Sequence, residues 1–424
     1  MNNILITFGT TLGITIFNFI GGIITARLLG PVGRGELAAV ILWPSILATI
    51  SGLGISESLI YFSGKNKDRI PQLFSCSIII AIVQSIIFMT IGYFLIPLFL
   101  KKYEPSVVHI CQMYLVYIPL FFLTLYPTSL LQGTMKFKKF NFIRIIVIAF
   151  FVSGISLLAL LGRVTVKNTV LVWITSEFMT LIICVIFLLQ EKMISWQIDK
   201  MTLKDILSYG WKVHIGNISS LLNSRLDQIL LSILLVPTML GFYVIATTIA
   251  GIVSIIPQVF CFVAFPSISN QSNIQEKQKL FAKYFRFVFF LTFIVCFFIL
   301  ILSQWLIPIF YGKEFTDSIK PSQILSLTMF FAGCNIILES GFRALGKPLV
   351  SSKAELIGLV VSAIILPIFL IKFQIIGAAI ATLITSLVCF SYLLKNSNFS
   401  FKDLFYFQSD DLRQVGKLIG LVKN

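Results

Sequence analysis

Long apolar runs separated by short polar segments dominate the chain. About 20 residues in helical form cross the roughly 30 Å apolar core of a bilayer. Turn signals rich in Gly and Pro separate the runs of that length, which lie at about 4–26, 37–62, 73–100, 107–131, 142–162, 169–190, 210–236, 239–266, 284–310, 321–343, 350–372 and 374–395. The pattern predicts an all-α polytopic membrane protein with about 12 transmembrane helices.

Lysine and arginine are distributed unevenly between alternate loops. With the N-terminus inside, the cytoplasmic loops and the tail carry 23 of the 33 basic residues, the opposite loops carry nine, and Arg225 lies within the seventh run. Cytoplasmic loops have an excess of Lys and Arg, so we expect both termini in the cytoplasm. Because these residues occupy short loops, the +16 net charge needs no nucleic-acid partner to explain it.

Composition narrows the class of protein further. Only 12% of the residues are charged, about half of what soluble domains carry. The seven cysteines lie in or beside apolar runs without a CxxC or Cys/His cluster, so no metal site or disulfide framework is expected. The loops are too short for a catalytic domain. The one match to the nucleotide-binding motif GxxxxGK, at residues 341–347, is followed by Pro348 where the motif requires Ser or Thr. We therefore expect neither an enzyme nor a cofactor.

A repeated motif divides the chain. Leu28-Leu29-x-Pro31-x-x-x-Gly35 matches Leu234-Leu235-x-Pro237-x-x-x-Gly241, and a second weaker match has nearly the same offset. Six runs per repeat is an even number, so the two halves enter the membrane from the same side. We expect two parallel six-helix lobes, 1–195 and 196–396, around a central cavity. An amphipathic cytoplasmic tail is expected at 397–424.

Two runs carry polar stripes. In the first run, Thr15 and Asn18 share a face with other small polar residues. In the seventh run, one arc with Asp227 at its edge contains His214, Asn217, Ser224, Arg225 and Gln228. Polar faces in lipid are costly, so these stripes are expected to line a cavity between the halves. The alternative is hydrogen bonding between packed helices.

Arg225 is the most specific single candidate for a substrate-binding residue. It lies about 22 Å from the inner start of its helix, too deep to reach the surface easily. A guanidinium in a wet cavity would bind a diphosphate with paired hydrogen bonds. The alternative is a structural bridge to Glu177, which comes to a similar depth. Glu57 fits a gate or an anchor near the cytoplasmic end of its helix, and Glu339 is expected to pair with Arg343 four residues on.

Several segments also carry a family likeness, which runs along nearly the whole chain. The stretch from Ala26 through Gly30-Pro31-Val32-Gly33-Arg34-Gly35 to Ala38, the segment from Tyr209 to Arg225-x-Asp227, Gly241-Phe242-Tyr243 and Leu345-Gly346-Lys347-Pro348 together resemble the Wzx-type oligosaccharide flippases. These belong to the multidrug/oligosaccharidyl-lipid/polysaccharide exporter superfamily. The resemblance implies a cationic cavity, a polyprenyl-diphosphate-linked sugar substrate and alternating access driven by a proton or sodium gradient.

The resemblance and the residues lead to one functional expectation. The chain is expected to be a flippase of the bacterial cytoplasmic (inner) membrane that moves a lipid-linked oligosaccharide outward for surface polysaccharide biosynthesis. Candidate substrate-binding residues are Arg225, His214, Asn217, Ser224, Gln228, Asn18, Thr15 and Arg34. Candidate ion-coupling or gating residues are Asp227, Glu177, Glu57 and Glu339.

Expected partners are the lipid bilayer, a polysaccharide polymerase and glycosyltransferases, and the chain is expected to act as a monomer. Two alternatives remain open. The first is a multidrug exporter of the same fold, and the second is a membrane-embedded polysaccharide polymerase or ligase.

Overall fold

The computed structural model describes residues 2–269, 273–397 and 404. Within those ranges the chain is all-helical, with no strand. Two short 3₁₀ segments, Lys67–Arg69 and Lys313–Ser318, interrupt the α-helices, which are, in chain order, α1 (Asn2–Ser51), α2 (Ile55–Lys65), α3 (Ile70–Phe99), α4 (Pro105–Tyr114), α5 (Tyr117–Gly133), α6 (Phe137–Leu160), α7 (Val166–Gln190), α8 (Lys200–Leu234), α9 (Pro237–Ser269), α10 (Ile274–Tyr311), α11 (Ile319–Ala344) and α12 (Pro348–Asn396).

Nine helical segments in the described part of the chain are long and apolar enough to cross a membrane. Eleven of the twelve predicted runs overlap these segments, and the first two runs share one segment while the last two share another. The seventh predicted run lies in α8, which is not among these segments and is by mean hydropathy the least apolar of the described α-helices. The all-helical multi-pass architecture is thus confirmed, while the count of twelve spans and the orientation stay predictions.

The boundary expected between the first two runs is a bend within α1. Gly30 has φ 66° and ψ −178°, a conformation that glycine adopts without a Cβ penalty. Pro31 then starts the second part of the helix, where its fixed φ suits a first helical position. The second run, expected at 37–62, is itself interrupted after Ser51, and Gly54 at φ 64° precedes α2. The non-helical Gly30 thus marks the expected boundary, whereas the break at residues 52–54 was not expected.

A similar bend joins the last two runs. The expected break between 372 and 374 lies inside α12, where Gln374 has φ 53° and ψ −133°. A positive φ is uncommon for a residue other than glycine. Directly beyond the bend, Gly377 lies so close to the carbonyl of Phe369 that an added Cβ would overlap it. The bend therefore turns the chain tightly back on itself.

The chain falls into two compact units. The first comprises Met1–Leu222 with Gln228–Gly241, and the second comprises Asn223–Asp227 with Phe242–Asn424. The lobes expected at 1–195 and 196–396 follow the sequence repeat, and that division stays a prediction.

Small residues bring helices together inside each unit. In the first unit, a Cβ at Gly21 of α1 would lie 3.2 Å from Phe151 of α6, within a core cluster on α6 that also contains Ile148, Val152 and Ile155. In the second unit, a Cβ at Gly358 would lie 2.7 Å from Cys389. Close approach at small residues is the usual way helices associate in lipid, where the hydrophobic effect contributes little.

Candidate functional site

The two copies of the repeated motif meet each other in the first unit. A Cβ added at Gly35 would overlap the carbonyl oxygen of Pro237, and one added at Gly241 would overlap the carbonyl oxygen of Pro31. The Cβ added at Gly35 would lie 2.9 Å from the Gly241 nitrogen, and the Cβ added at Gly241 would lie 3.1 Å from the Gly35 nitrogen. The contact is reciprocal, as in a two-fold related pair. We call it the glycine crossing.

Further contacts lie beside the glycine crossing. Lys102 donates a hydrogen bond to the carbonyl of Leu234, at the end of α8. Tyr103 is buried, and its burial together with the Glu36 carboxylate raises the pKa of its hydroxyl above the ordinary value. The Tyr103 hydroxyl is therefore neutral at physiological pH. Arg34, one of the expected substrate ligands, is half-buried next to the crossing in α1.

The first half of α8 also packs closely on the connection before α2 and on α2 itself, within the first unit. A Cβ at Gly54 would overlap the carbonyl oxygen of Gly210, and one at Gly210 would overlap that of Leu53. The Tyr61 ring stacks on the Tyr209 ring with centroids 4.7 Å apart. A second close backbone approach thus holds α8 within the first unit, more than 20 residues before the glycine crossing.

Polar contacts reinforce that packing. Ser58 Oγ donates to the Ile206 carbonyl at 2.9 Å, and Arg69 Nη2 donates to Asp205 Oδ2 at 2.8 Å. Glu57, expected as a gate or an anchor, is half-buried in α2 and accepts a 2.7 Å hydrogen bond from Ser56. Ser58, the residue after Glu57, contacts α8.

The polar stripe of α1 is partly exposed and partly packed. The hydroxyl of Thr15 donates to the Thr11 carbonyl at 3.0 Å, which satisfies it within its own helix. Both Thr15 and Asn18 are exposed. Thr7, nearer the start of the helix, accepts a 2.9 Å hydrogen bond from Asn141 of α6. Helix–helix hydrogen bonding thus applies at Thr7, whereas the candidate ligands Thr15 and Asn18 remain accessible.

Glu177 of α7 lies next to two tyrosines that we did not predict. It is half-buried and interacts electrostatically with Tyr114 and Tyr117. The two tyrosine rings stack with centroids 5.3 Å apart. All three residues belong to the first unit. The pairing of Glu177 with Arg225, which belongs to the second unit, stays a prediction.

Asp227 is held by a third tyrosine that we did not predict. Tyr243 of α9 is fully buried and donates a 2.7 Å hydrogen bond from its hydroxyl to Asp227 Oδ2. Thr382 of α12 interacts with the same tyrosine hydroxyl. Hydrogen bonds to an ionised acceptor are among the stronger ones in proteins. The contacts join α8, α9 and α12 within the second unit.

The remaining candidates of α8 differ in accessibility. Ser224 and Arg225 are exposed, and Gln228 is half-buried. His214 is only 2% exposed, so its ring is closed to a ligand in this conformation. Asn217 lies in α8, but its side chain is outside the described residues.

Glu339 lies at the end of α11 as expected. Its carboxylate is 4.0 Å from Arg343 Nη2, so the predicted pair of residues four apart is confirmed. Ser351 of α12 donates to the backbone carbonyl of Glu339 at 3.0 Å, and Glu355 is a second carboxylate nearby. Within the described ranges, no three His, Cys, Asp or Glu side chains converge as metal ligands. The amphipathic helix expected in the tail lies outside the described residues.

The fold is that of a class of multi-pass membrane transporters. The lipid II flippase MurJ in an inward closed conformation matches 99% of this chain and 94% of its own, with a TM-score of 0.79 at 17% identity. A multidrug resistance MATE transporter of the MOP superfamily, in an inward-facing conformation, matches 91% of this chain and 96% of its own, with a TM-score of 0.69 at 15% identity.

Sequence comparison identifies the family. The chain belongs to the polysaccharide biosynthesis protein family, whose sequence profile matches residues 24–320. The "Putative O-antigen transporter" of Shigella flexneri is 23% identical over 84% of this chain and 87% of its own length. The "Probable low-salt glycan biosynthesis flippase Agl15" of Haloferax volcanii is 26% identical over 42% of this chain, and the match spans 39% of that flippase.

Two tyrosine sites were missed by sequence reasoning. Tyr243 follows Asp227 by 16 residues across the break between α8 and α9, so helical periodicity does not connect them. Tyr114 and Tyr117 are on the approach to α5 and reach Glu177 only through tertiary packing. The one available signal was Gly241-Phe242-Tyr243 within the family likeness, which marked Tyr243 without assigning it a role.

Proposed function

We propose that this protein is a flippase that moves a polyprenyl-diphosphate-linked oligosaccharide from the cytoplasmic to the outer leaflet by alternating access. The observation that carries the proposal is the polarity of α8. It is a 35-residue helix in a chain of the polysaccharide biosynthesis family, and by mean hydropathy it is the least apolar of the described α-helices. A polar helix among membrane spans is stable where it faces water or a polar cargo.

Arg225 supplies the group that recognises the diphosphate. Its side chain is exposed, and a guanidinium donates paired hydrogen bonds to phosphate oxygens. The accessible hydroxyl and amide of Thr15 and Asn18 provide donors and acceptors for sugar hydroxyls. Arg34 adds a second positive charge near the glycine crossing. The polyprenyl tail stays in lipid throughout.

Asp227 is the leading residue for coupling to an ion gradient. The hydrogen bond from Tyr243 at 2.7 Å holds its carboxylate in a defined position, two residues from Arg225. Gain or loss of a proton or sodium ion there changes the charge of the segment that holds the diphosphate. Glu177, beside Tyr114 and Tyr117, is a second coupling candidate. Glu57 and Glu339 act as gating residues.

The proposed setting is the bacterial cytoplasmic membrane. Glycosyltransferases supply the lipid-linked sugar on the inner face, and a polymerase consumes it on the outer face. The chain acts as a monomer and carries out no covalent chemistry. The short connections between the described helices support transport over a polymerase or ligase, because they leave no room for a soluble catalytic domain.

A multidrug exporter is the second candidate function. The observation that favours it is the shared fold with a multidrug resistance transporter, at a TM-score of 0.69. Fold alone does not decide function. The family match over residues 24–320 favours a glycan cargo instead.

A reconstitution experiment tests the flippase proposal. The purified chain is placed in liposomes with a polyprenyl-diphosphate-linked oligosaccharide, and a membrane-impermeant glycosidase measures how much sugar becomes accessible from outside. We expect nearly complete digestion with the wild-type chain and digestion of only the outer half with Arg225→Ala. The conservative variant Arg225→Lys should be intermediate, because it keeps the charge without the paired donors. Half digestion by the wild type, combined with transport of cationic drugs, would replace this proposal with the exporter.

A further inference from the structure

The connection from α7 to α8 and the first turns of α8 present an unusual exposed surface. Large apolar side chains there are strongly exposed: Trp196 66%, Ile198 68%, Met201 71% and Trp211 58%. Lysines are interspersed among them. We call this surface the basic-aromatic face, and it consists of Trp196, Ile198, Lys200, Met201, Lys204, Trp211 and Lys212, all of them exposed.

The exposed Trp196 is held in place by hydrogen bonds on both sides. Ser75 Oγ of α3 donates to the Ser195 carbonyl at 2.6 Å and accepts from the Gln197 backbone N–H at 2.8 Å. The Phe74 ring lies 6.3 Å from the Trp196 ring in an edge-on arrangement. The backbone on both sides of the exposed Trp196 is thus bound to α3.

The opposite side of α8 is buried. Thr202, Ile206 and Gly210 have little or no exposed area, and Ile206 and Gly210 contact Ser58 and Gly54 within the first unit. Residues spaced three or four apart share a helix face. The basic-aromatic face therefore points away from the rest of the first unit, and the helix packing inside that unit does not explain it.

The acidic residues of this segment are all engaged. Asp205 pairs with Arg69 at 2.8 Å, and Glu191 pairs with Lys136 and Lys139 at 2.8 and 2.7 Å. Asp199 accepts hydrogen bonds from backbone N–H groups at the start of α8. The Thr202 hydroxyl and these N–H groups lower the pKa of the Asp199 carboxyl.

The three lysines of the face are left uncompensated. Lys200, Lys204 and Lys212 are exposed, and none forms an ion pair with any residue in the part of the chain that the structure describes. The face therefore carries a local positive charge next to exposed tryptophan, isoleucine and methionine side chains.

We infer that the basic-aromatic face is a binding surface for the anionic phospholipids of the surrounding bilayer. Tryptophan prefers the boundary between headgroups and acyl chains, and exposed lysines attract anionic headgroups at the same depth. The excess of basic residues in alternate loops predicts that this leaflet is the cytoplasmic one. The ligand is bulk phospholipid rather than the transported glycolipid, so the inference is independent of the proposed function.

The test is a lipid titration of the full-length chain in detergent. Phosphatidylglycerol or phosphatidylcholine is added, and native mass spectrometry measures the affinity for each lipid. We expect a preference for phosphatidylglycerol that falls about fivefold for each of the three lysines changed to Gln, following the usual attraction of a lysine to an anionic surface. Brominated phosphatidylglycerol should also quench tryptophan fluorescence more in the wild type than in Trp196→Phe/Trp211→Phe.

The matched control removes the same number of exposed lysines elsewhere. The control triple variant changes Lys313, Lys320 and Lys372 to Gln, all exposed in the second unit. Its preference for phosphatidylglycerol should stay within twofold of the wild type. Equal affinity of the wild type for both lipids would overturn the inference. The inference would also be overturned if the preference were retained when Lys200, Lys204 and Lys212 are all changed to Gln, or if that variant and the control variant lost it equally. Equal quenching of both proteins would exclude the two tryptophans from the lipid contact.

Discussion

Gly35 and Gly241 lie against each other's helices in a reciprocal contact, each next to the proline carbonyl of the other's motif. They occupy equivalent positions in the two sequence repeats, Pro-x-x-x-Gly in both cases. The contact leaves no space for a Cβ on either side, so the backbones approach as closely as they can. Alternating access by the proposed mechanism requires such inter-repeat contacts to form in one state and separate in another.

The first prediction concerns this contact. Gly35→Ala should destabilise the described conformation by about 1–3 kcal/mol, because the added methyl overlaps the Pro237 carbonyl and the backbones must separate. Thermal unfolding of the purified chain measures the loss as a lower melting temperature. Gly251→Ala is the matched control, since an added Cβ there meets nothing within 4 Å. A Gly35→Ala chain as stable as this control would show that the glycine crossing is not populated.

The second prediction concerns the Asp227–Tyr243 hydrogen bond. Asp227→Asn keeps an acceptor for the tyrosine hydroxyl but removes the charge, so gradient-driven transport should fall by at least tenfold. Tyr243→Phe keeps the charge and loses the 2.7 Å bond, so we expect a smaller loss and a shifted ion concentration for half-maximal transport. The assay is uptake of lipid-linked sugar into liposomes under an imposed proton or sodium gradient.

The control for that prediction is Asp317→Asn, which removes an exposed carboxylate elsewhere in the second unit. It should transport like the wild type. The double variant Asp227→Asn/Tyr243→Phe should be no worse than Asp227→Asn alone, because residues in one network are not additive. Undiminished gradient-driven transport by Asp227→Asn would rule out Asp227 as the coupling residue.

The fold was largely predictable because membrane spans leave a strong signal in the sequence. Apolar runs of about 20 residues located all the long helices, including α8 with its mixed polarity. The boundaries expected between the first two runs and between the last two coincide with non-helical backbone at Gly30 and Gln374, but the runs could not show that a single residue makes each break. The repeat at Gly35 and Gly241 was visible, but sequence alone did not reveal that its two copies touch.

The candidate site was predictable only within single helices. Helical periodicity grouped Ser224, Arg225 and Gln228, since residues of one helix share a calculable face. It did not find Tyr243 beside Asp227, because that contact depends on how α9 packs back on α8. It also placed His214 on the polar arc, whereas tertiary packing leaves that ring 2% exposed.

The third prediction is a pH dependence of stability that arises where the start of α6 lies against the end of α7. Hydrogen bonds from Lys136 and Lys139 hold the pKa of Glu191 below its usual range. A lowered folded-state pKa gives stabilisation that is complete above the unfolded value of about 4.3 and is lost as the pH falls through the folded value. We expect the free energy of unfolding at pH 7 to be about 0.5–1 kcal/mol higher for the wild type than for Glu191→Gln.

Thermal unfolding of both chains between pH 7 and pH 3 measures this dependence. The gap in melting temperature should close as the pH is lowered through the acid range. Glu314→Gln, an exposed carboxylate for which no ion pair is described, should show no gap at pH 7. A gap for Glu191→Gln that is constant with pH would contradict an ionic origin.

The fourth prediction concerns the anchor of α8. Arg69 and Asp205 pair at 2.8 Å with about a third of each side chain exposed. A double-mutant cycle of Arg69→Ala and Asp205→Ala should therefore give a coupling energy of about 0.5–1 kcal/mol, typical of a partly screened pair. Denaturant or thermal unfolding provides the four stabilities. A coupling energy of zero would show that the packing of Tyr61 on Tyr209 and of Gly54 on Gly210 holds α8 without this pair.

The most direct test of the account is the sidedness of the lipid-linked oligosaccharide in cells that lack this protein. Right-side-out and inverted membrane vesicles are treated with an impermeant glycosidase to measure the sugar on each leaflet. We predict accumulation on the cytoplasmic leaflet in these cells, normal sidedness when the wild-type chain is restored, and continued accumulation with Arg225→Ala. Normal sidedness and normal surface glycan in cells without the protein would contradict the flippase account.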